Sequence, residues 1–140
     1  MDYKYPVQLI DNHEGGYILH FKDLPEIESE IWALDELKET GVDALVTALD
    51  LYFEHKKIFP NPSKPQEGEC LISLPISIVA KMLLLNAMVA SNIRASDLAK
   101  KMNIKPQEVN RIIDLRHNTK IDTLQKAMQS IGKDFAITLA

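Results

Sequence analysis

Apolar residues change their period as the chain proceeds. Tyr5, Val7 and Leu9 alternate with polar residues, and Tyr17, Leu19 and Phe21 do so again after the run Asp11, Asn12, His13, Glu14, Gly15 and Gly16. A period of two places one set on one face of a strand, so this segment predicts a hairpin with a single buried face. A third short strand is expected from about Ile27 to Ile31, after Pro25. The spacing then widens to three and four: Leu34, Leu37, Gly41, Leu45, Ala48, Leu49, Tyr52 and Phe53 fall on one stripe of a long helix. Gly41 in its middle costs about 1 kcal/mol relative to Ala, tolerable where a strand backbone packs closely. The product is a small antiparallel sheet covered by one helix.

Phe59 to Glu69 breaks the pattern with three prolines and a glycine in a polar setting, which reads as an inter-domain linker or extended connection. Two domains follow, 1–68 and 69–140. Cys70 to Leu74 adds a strand to this sheet or to a partner. Between Ile76 and Ala90 only Ser77, Lys81 and Asn86 are polar, so this helix is apolar nearly all round. It is central to its own domain, packs partly on a second chain, or both. Pro75 sets its start and Asn92 its end.

Residues 95–114, ASDLAKKMNIKPQEVNRIID, have the form of a helix-turn-helix. Leu98, Met102, Ile104, Val109 and Ile112 are spaced to pin two short helices together, and Ala99 is small where the second helix crosses. Ser96 is the expected N-cap, with Asp97 at the positive end of the dipole. Pro106 sits at a helix start, where its missing N–H costs nothing, and Asn103 at the turn tolerates a left-handed backbone. The second helix, Pro106 to about Leu115, then turns Lys105, Gln107, Asn110 and Arg111 outward. Such side chains read bases and bind phosphates. Gln107 and Asn110 are the candidates for base edges and Arg111 for a base or phosphate. Lys105, Arg116, His117 and Lys120 are the candidates for the DNA backbone, with Ser96 beside them. An amphipathic helix pair with a merely solvated outer face is the plainer alternative.

Thr119 followed by Asp122 approximates a capping box for a last helix whose buried stripe is Ile121, Leu124, Met128 and Ile131 and which Gly132 ends. The tail Phe135, Ile137 and Leu139 alternates like a strand. Pairing with the same tail of another copy gives a dimer or higher even-numbered assembly, such as a tetramer, able to read an inverted repeat.

Charge separates along the same division. The net charge is −4, yet residues 1–68 hold six Lys or Arg against fourteen Asp or Glu, and residues 69–140 hold ten against six. One surface suits DNA and the other a cationic partner, although acidic faces also serve simply for solubility. A single cysteine, Cys70, excludes an internal disulfide, and with four scattered histidines it forms no zinc-ligand pattern. No metal or cofactor is expected. With no secretory signal and no apolar run of about twenty residues, cytoplasmic residence is expected and a membrane is not.

Tyr5-Pro6-Val7, Glu14-Gly15-Gly16-Tyr17-Ile18 and Phe21-Lys22-Asp23-Leu24-Pro25, followed by the long helix and the helix-turn-helix, resemble the HicB antitoxins of bacterial toxin–antitoxin pairs. Where many relatives carry a Gly-centred turn before the long helix, this chain has Glu30-Ile31-Trp32. The resemblance implies an α+β chain: a truncated, noncatalytic ribonuclease H-like domain, then an all-α, phage-repressor-like helix-turn-helix domain. It implies that the first domain masks a small basic RNA-cleaving toxin, HicA, and that the second binds the operator of the pair's own promoter. An RNA-handling toxin is cationic in order to hold phosphates, which suits an acidic cover. Asp23, Glu26, Glu28, Glu30 and Trp32 are the candidates for that contact, with solvated surface the alternative for the acids and core packing for Trp32.

Two other functions fit the residues less well. A metal-dependent nuclease needs clustered carboxylates; Asp11, Asp23, Asp43 and Asp50 are of the right type, but turn and helix-surface settings surround them. His13 and His20 have no Ser or Cys partner at recognisable spacing. A stand-alone transcription regulator, its acidic domain sensing a ligand or protein, is the remaining alternative.

Overall fold

The structure, a computed structural model, describes residues 2–140 and is a mixed α+β fold. Its strands are β1 (Lys4–Asp11), β2 (Tyr17–His20), β3 (Ser29–Ile31) and β4 (Cys70–Ser73). Its α-helices are α1 (Leu37–Glu54), α2 (Ile76–Ala90), α3 (Ala95–Met102), α4 (Pro106–Ile113) and α5 (Ile121–Ser130). Two compact units result, one of residues up to Leu51 with Pro60–Leu74, the other of Tyr52–Phe59 with Pro75–Ala140. A single cut after residue 68 does not describe this division, and hydrogen bonding explains why. β4 belongs to the first unit because it pairs antiparallel with β1 in the register Tyr5 to Ile72 and Val7 to Cys70. Phe59 belongs to the second because the Asn86 amide brackets its backbone, accepting from Phe59 N at 2.9 Å and donating to Phe59 O at 3.1 Å.

In the first unit the sheet order is β3-β2-β1-β4, antiparallel throughout. The hairpin turn lies where expected. Asn12 Oδ1 accepts from the N–H groups of Glu14 (2.8 Å) and Gly16 (2.9 Å), and Asp11 Oδ1 from that of His13 (2.8 Å). Such side chain-to-backbone bonds stand in for ladder bonds where the chain reverses. Tyr5, Val7, Leu19, Phe21, Ile31 and Ile72 are buried on one face of the sheet, with Leu45 and Leu49 of α1. A Cβ on Gly41 would lie 2.8 Å from Ile72 Cδ1, so the glycine makes room for a side chain of β4 rather than for strand backbone. β3 starts at Ser29 rather than Ile27. Leu34 lies in an exposed 3-10 turn, so the buried stripe of α1 begins after it.

The Pro-rich segment has no helix or strand, yet it is fastened to the first unit. Pro60 O accepts from Tyr5 Oη at 2.7 Å, Asp23 accepts from the N–H and hydroxyl of Ser63, and Lys22 Nζ donates to Lys64 O (2.7 Å) and Glu69 Oε1 (3.0 Å). It is an extended connection with its polar groups satisfied, which is how irregular backbone persists against a folded surface.

α2 is the centre of the second unit, burying Ala80, Met82, Leu84, Leu85, Ala87 and Met88. Leu98 and Ala99 of α3, Val109 and Ile112 of α4, and Leu124, Ala127 and Met128 of α5 complete the core. Three local expectations are corrected. The N-cap position of α3 is Arg94 rather than Ser96, and Asp97 accepts from the Arg94 N–H at 2.9 Å. α5 starts after Lys120, so Thr119 is not its cap; its hydroxyl turns back to donate to Arg111 O at 3.3 Å, and Ile121 is exposed. The tail forms no strand. Asp134 is held by Gln125 Nε2 and Gln129 Nε2, both at 3.1 Å, and Ile137 beyond it is 85 % exposed, as follows for strand-forming residues without a partner strand.

Candidate functional site

The outward face of α4 is set by what its other face buries. Val109 and Ile112 are buried with Leu98 and Ala99, so Gln107, Asn110 and Arg111 necessarily face solvent, and all three are exposed. The turn leading into α4 is short because Asn103 takes a left-handed conformation (φ 55°, ψ 48°), letting its N–H reach Lys100 O and that of Ile104 reach Ala99 O. Pro106 then opens α4 at its first position after an extended Lys105. A groove between α3 and α4 is lined by Ser96, Lys100, Asn103, Ile104 and Asn110, so Ser96 and Asn110 share one surface. Lys105, Arg116, His117 and Lys120 are exposed around the two ends of α4. Every sequence-derived candidate on this unit is therefore accessible.

Sequence reasoning missed Lys81, which is 1 % exposed yet charged in type. Its Nζ donates to the carbonyls of Arg111 (3.2 Å), Asp114 (2.6 Å) and His117 (2.6 Å). Burial pushes this ammonium below the usual lysine range, opposed by the negative charge of Asp114. One signal was present in the sequence: a lone lysine inside an otherwise apolar helix demands buried partners.

The acidic candidates lie on the first unit, in different settings. Asp23 is partly buried and engaged with Ser63, whereas Glu26, Glu28 and Glu30 are exposed. Glu30 accepts from Asn12 Nδ2 at 3.1 Å, and its cross-strand neighbour on β2 is Ile18. Trp32 is 54 % exposed, not core. Its N–H donates to Glu36 Oε1 at 3.0 Å, and a Cβ on Gly16 would stand 2.8 Å from its Cε3. Ile18 pairs with Ile10 on β1, and both are exposed, so apolar residues sit among acids on this side of the sheet. Asp11 is occupied in the hairpin turn, Asp43 and Asp50 lie on α1, and among the described residues no three His, Cys, Asp or Glu side chains converge as a metal site.

These two surfaces have counterparts in known proteins. Residues 4–83 match the family described as HicB-like antitoxin of bacterial toxin–antitoxin systems. The chain belongs to that family. It is 38 % identical over 136 residues to Antitoxin HicB of Escherichia coli, covering 97 % of this chain and 99 % of that one. It is 40 % identical to Antitoxin HicB 1 of Photorhabdus laumondii, covering 97 % and 86 %. Antitoxin HicB of Pseudomonas fluorescens is more distant at 26 %, over 93 % and 91 %. As a HicB-like antitoxin the chain has a toxin as its implied partner. The matched family region ends within α2, whereas the likeness to the Escherichia coli and Photorhabdus proteins runs through α3 and α4 as well. No single helix among the described residues is long and apolar enough to cross a membrane.

Proposed function

We propose that this antitoxin neutralises a HicA-type mRNA-cleaving toxin with its acidic first unit and represses its own operon with its second. On this reading α3 and α4 are a helix-turn-helix, α4 enters the major groove, Gln107 and Asn110 meet base edges, Arg111 meets a base or phosphate, and Lys105, Arg116, His117, Lys120 and Ser96 hold phosphates. One observation carries the reading. The buried residues of α4 are apolar, while its exposed side carries Gln107, Asn110 and Arg111, with Glu108 the one acid among them.

The first unit is then a noncatalytic, ribonuclease H-like cover. Glu26, Glu28 and Glu30 oppose the cationic RNA-binding surface of the toxin, and Trp32 with Ile18 and Ile10 supplies the apolar centre of the contact, as interfaces require. Asp23 contributes less directly, because its carboxylate is committed to Ser63. Two copies, paired through the exposed tail residues Ile137 and Leu139, present two recognition helices to an inverted repeat.

The test uses the full chain and a duplex from the promoter ahead of its coding sequence. Affinity should fall steeply with salt, log K against log salt sloping by about −0.9 per phosphate neutralised. Replacing Glu26, Glu28 and Glu30 together by Lys should weaken toxin inhibition and leave that affinity intact. Absence of salt-dependent duplex binding ends the repressor half of the proposal, and undiminished inhibition by the triple variant ends the placement of the toxin contact.

A further inference from the structure

α2 carries a single buried charge, and all of that charge is spent on one loop. Three carbonyls converge on Lys81 Nζ: Arg111 in the last turn of α4, Asp114 just beyond it, and His117 further on. An ammonium has three N–H donors and no acceptor, so these contacts use its full capacity. Carbonyls at a helix C-terminus lack intrahelical partners and form the negative end of the dipole, where a cation is favoured. Two further bonds of the loop end on the same carbonyl oxygens and a third on the Asp114 side chain. Thr119 Oγ1 donates to Arg111 O, the His117 N–H to Asp114 O (3.1 Å), and the Arg116 N–H to Asp114 Oδ1 (3.0 Å). The backbone that carries Arg116, His117 and Lys120 is thereby folded about one nitrogen.

We propose that Lys81 is a positioning residue for DNA recognition, a buried cation that closes the C-terminus of α4 and holds the 114–120 loop so that Arg116, His117 and Lys120 meet the phosphate backbone. It touches no DNA itself, being buried. An apolar residue at this place would suit the rest of α2 equally well, and the three convergent carbonyls account for the exception. The proposal rests on reading the second unit as a DNA-binding module.

The experiment compares the full chain with Lys81→Met, which removes every donor, and Lys81→Gln, which keeps two donors without charge. Binding to the promoter duplex is measured by fluorescence anisotropy across a salt series. The folded Met variant should bind about tenfold more weakly, with a salt slope shallower by about 1 to 2 because each phosphate contact contributes about 0.9. Its ranking of single-base operator variants should not change, since Gln107 and Asn110 lie on the earlier part of α4. The Gln variant should fall between. Loss of folded protein alone lowers the bound fraction at every salt concentration and leaves the slope as it was. Wild-type slope and affinity in a folded variant would overturn the proposal.

One measurement on the unmodified protein keeps the idea testable should both variants unfold. A slowly exchanging lysine ammonium should be visible by proton–nitrogen correlation, and saturating duplex should shift it; an absent or unshifted signal overturns the proposal. If the wild type binds no duplex, the DNA reading itself has failed. Where the variants do fold, amide exchange at Arg116 and His117 still reports on Lys81 without DNA, because protection of these two should collapse while that of α3 persists.

Discussion

The two units of this chain differ in what they bury. The sheet unit buries apolar side chains on one face and leaves Ile10, Ile18 and Trp32 exposed on strands and corner, among acids. The helical unit also leaves apolar residues exposed, Ile76, Ile121, Ile137 and Leu139, and differs in taking one lysine inside. Antiparallel sheets tolerate a face in water, so the first unit remains folded with an adhesive surface showing. Helix ends leave carbonyls without partners, so the second unit must supply donors, and Lys81 is one answer. On the proposed function, the exposed apolar patch is offered to a protein partner, whereas the buried cation shapes a surface for a polyanion.

The comparison can be broken most forcefully at the cores. Leu98→Ala should destabilise the helical unit by about 2–5 kcal/mol, and Leu19→Ala the sheet unit by a similar amount, because both delete a fully buried side chain. Chemical denaturation followed by the exposed Trp32 and by far-ultraviolet dichroism reads both. A loss below about 1 kcal/mol at either site would mean that its core repacks readily.

Glycine offers a sharper contrast within the sheet unit. A methyl on Gly16 would run into Ile31 O, which is backbone and cannot swing aside, so Gly16→Ala should cost about 1–3 kcal/mol and disturb Trp32 fluorescence. At Gly41 the obstacle is the Ile72 side chain, and the gain in helix propensity of about 1 kcal/mol offsets its displacement. Gly41→Ala should leave the midpoint of denaturation nearly unchanged; a loss equal to that at Gly16 would show Ile72 to be immovable.

On the proposed DNA reading, Gln107→Ala should relax discrimination at one base pair by about 1–3 kcal/mol, whereas Lys120→Ala should weaken all duplexes alike. Competition among operator variants separates the two. Unaltered preference in the Gln107 variant would remove that residue from the base-reading set.

The smallest effect concerns acid. Asp97 is held below the usual aspartate range by the Arg94 guanidinium and then by the Arg94 N–H. Because the folded value is the lower one, its contribution is complete above the unfolded aspartate pKa of about 3.9 and is lost as pH falls through the folded value. Asp97→Asn should therefore be slightly less stable than wild type at neutral pH, with the difference vanishing in acid. Parallel stability curves down to pH 2 would show that the cap contributes nothing through its charge.

Much of this was legible in the residues themselves. The hairpin, the α2 limits at Ile76 and Ala90, the left-handed Asn103 and the Pro106 helix start all follow from local chemistry: alternation, spacing and backbone preference act over a few residues and are written there. Every candidate DNA contact was named from the same signals, and each is exposed. Local signals failed where caps compete. Ser96 and Thr119 are good capping residues by type, but Asp97 reaching Arg94 and Thr119 reaching Arg111 O took the available bonds.

Periodicity and turn chemistry thus determined most of the strands and helices and the outward side of α4, but not the tail or the exposure of Trp32, Leu34 and Ile121. Tertiary structure alone decided that β4 returns across the Pro-rich segment to pair with β1, that Ile72 is what Gly41 admits, and that Lys81 finds three carbonyls thirty or more residues away. The reason is physical. A hydrogen-bond donor's need for a partner is evident from its type, but which distant oxygen meets that need depends on how the whole chain packs.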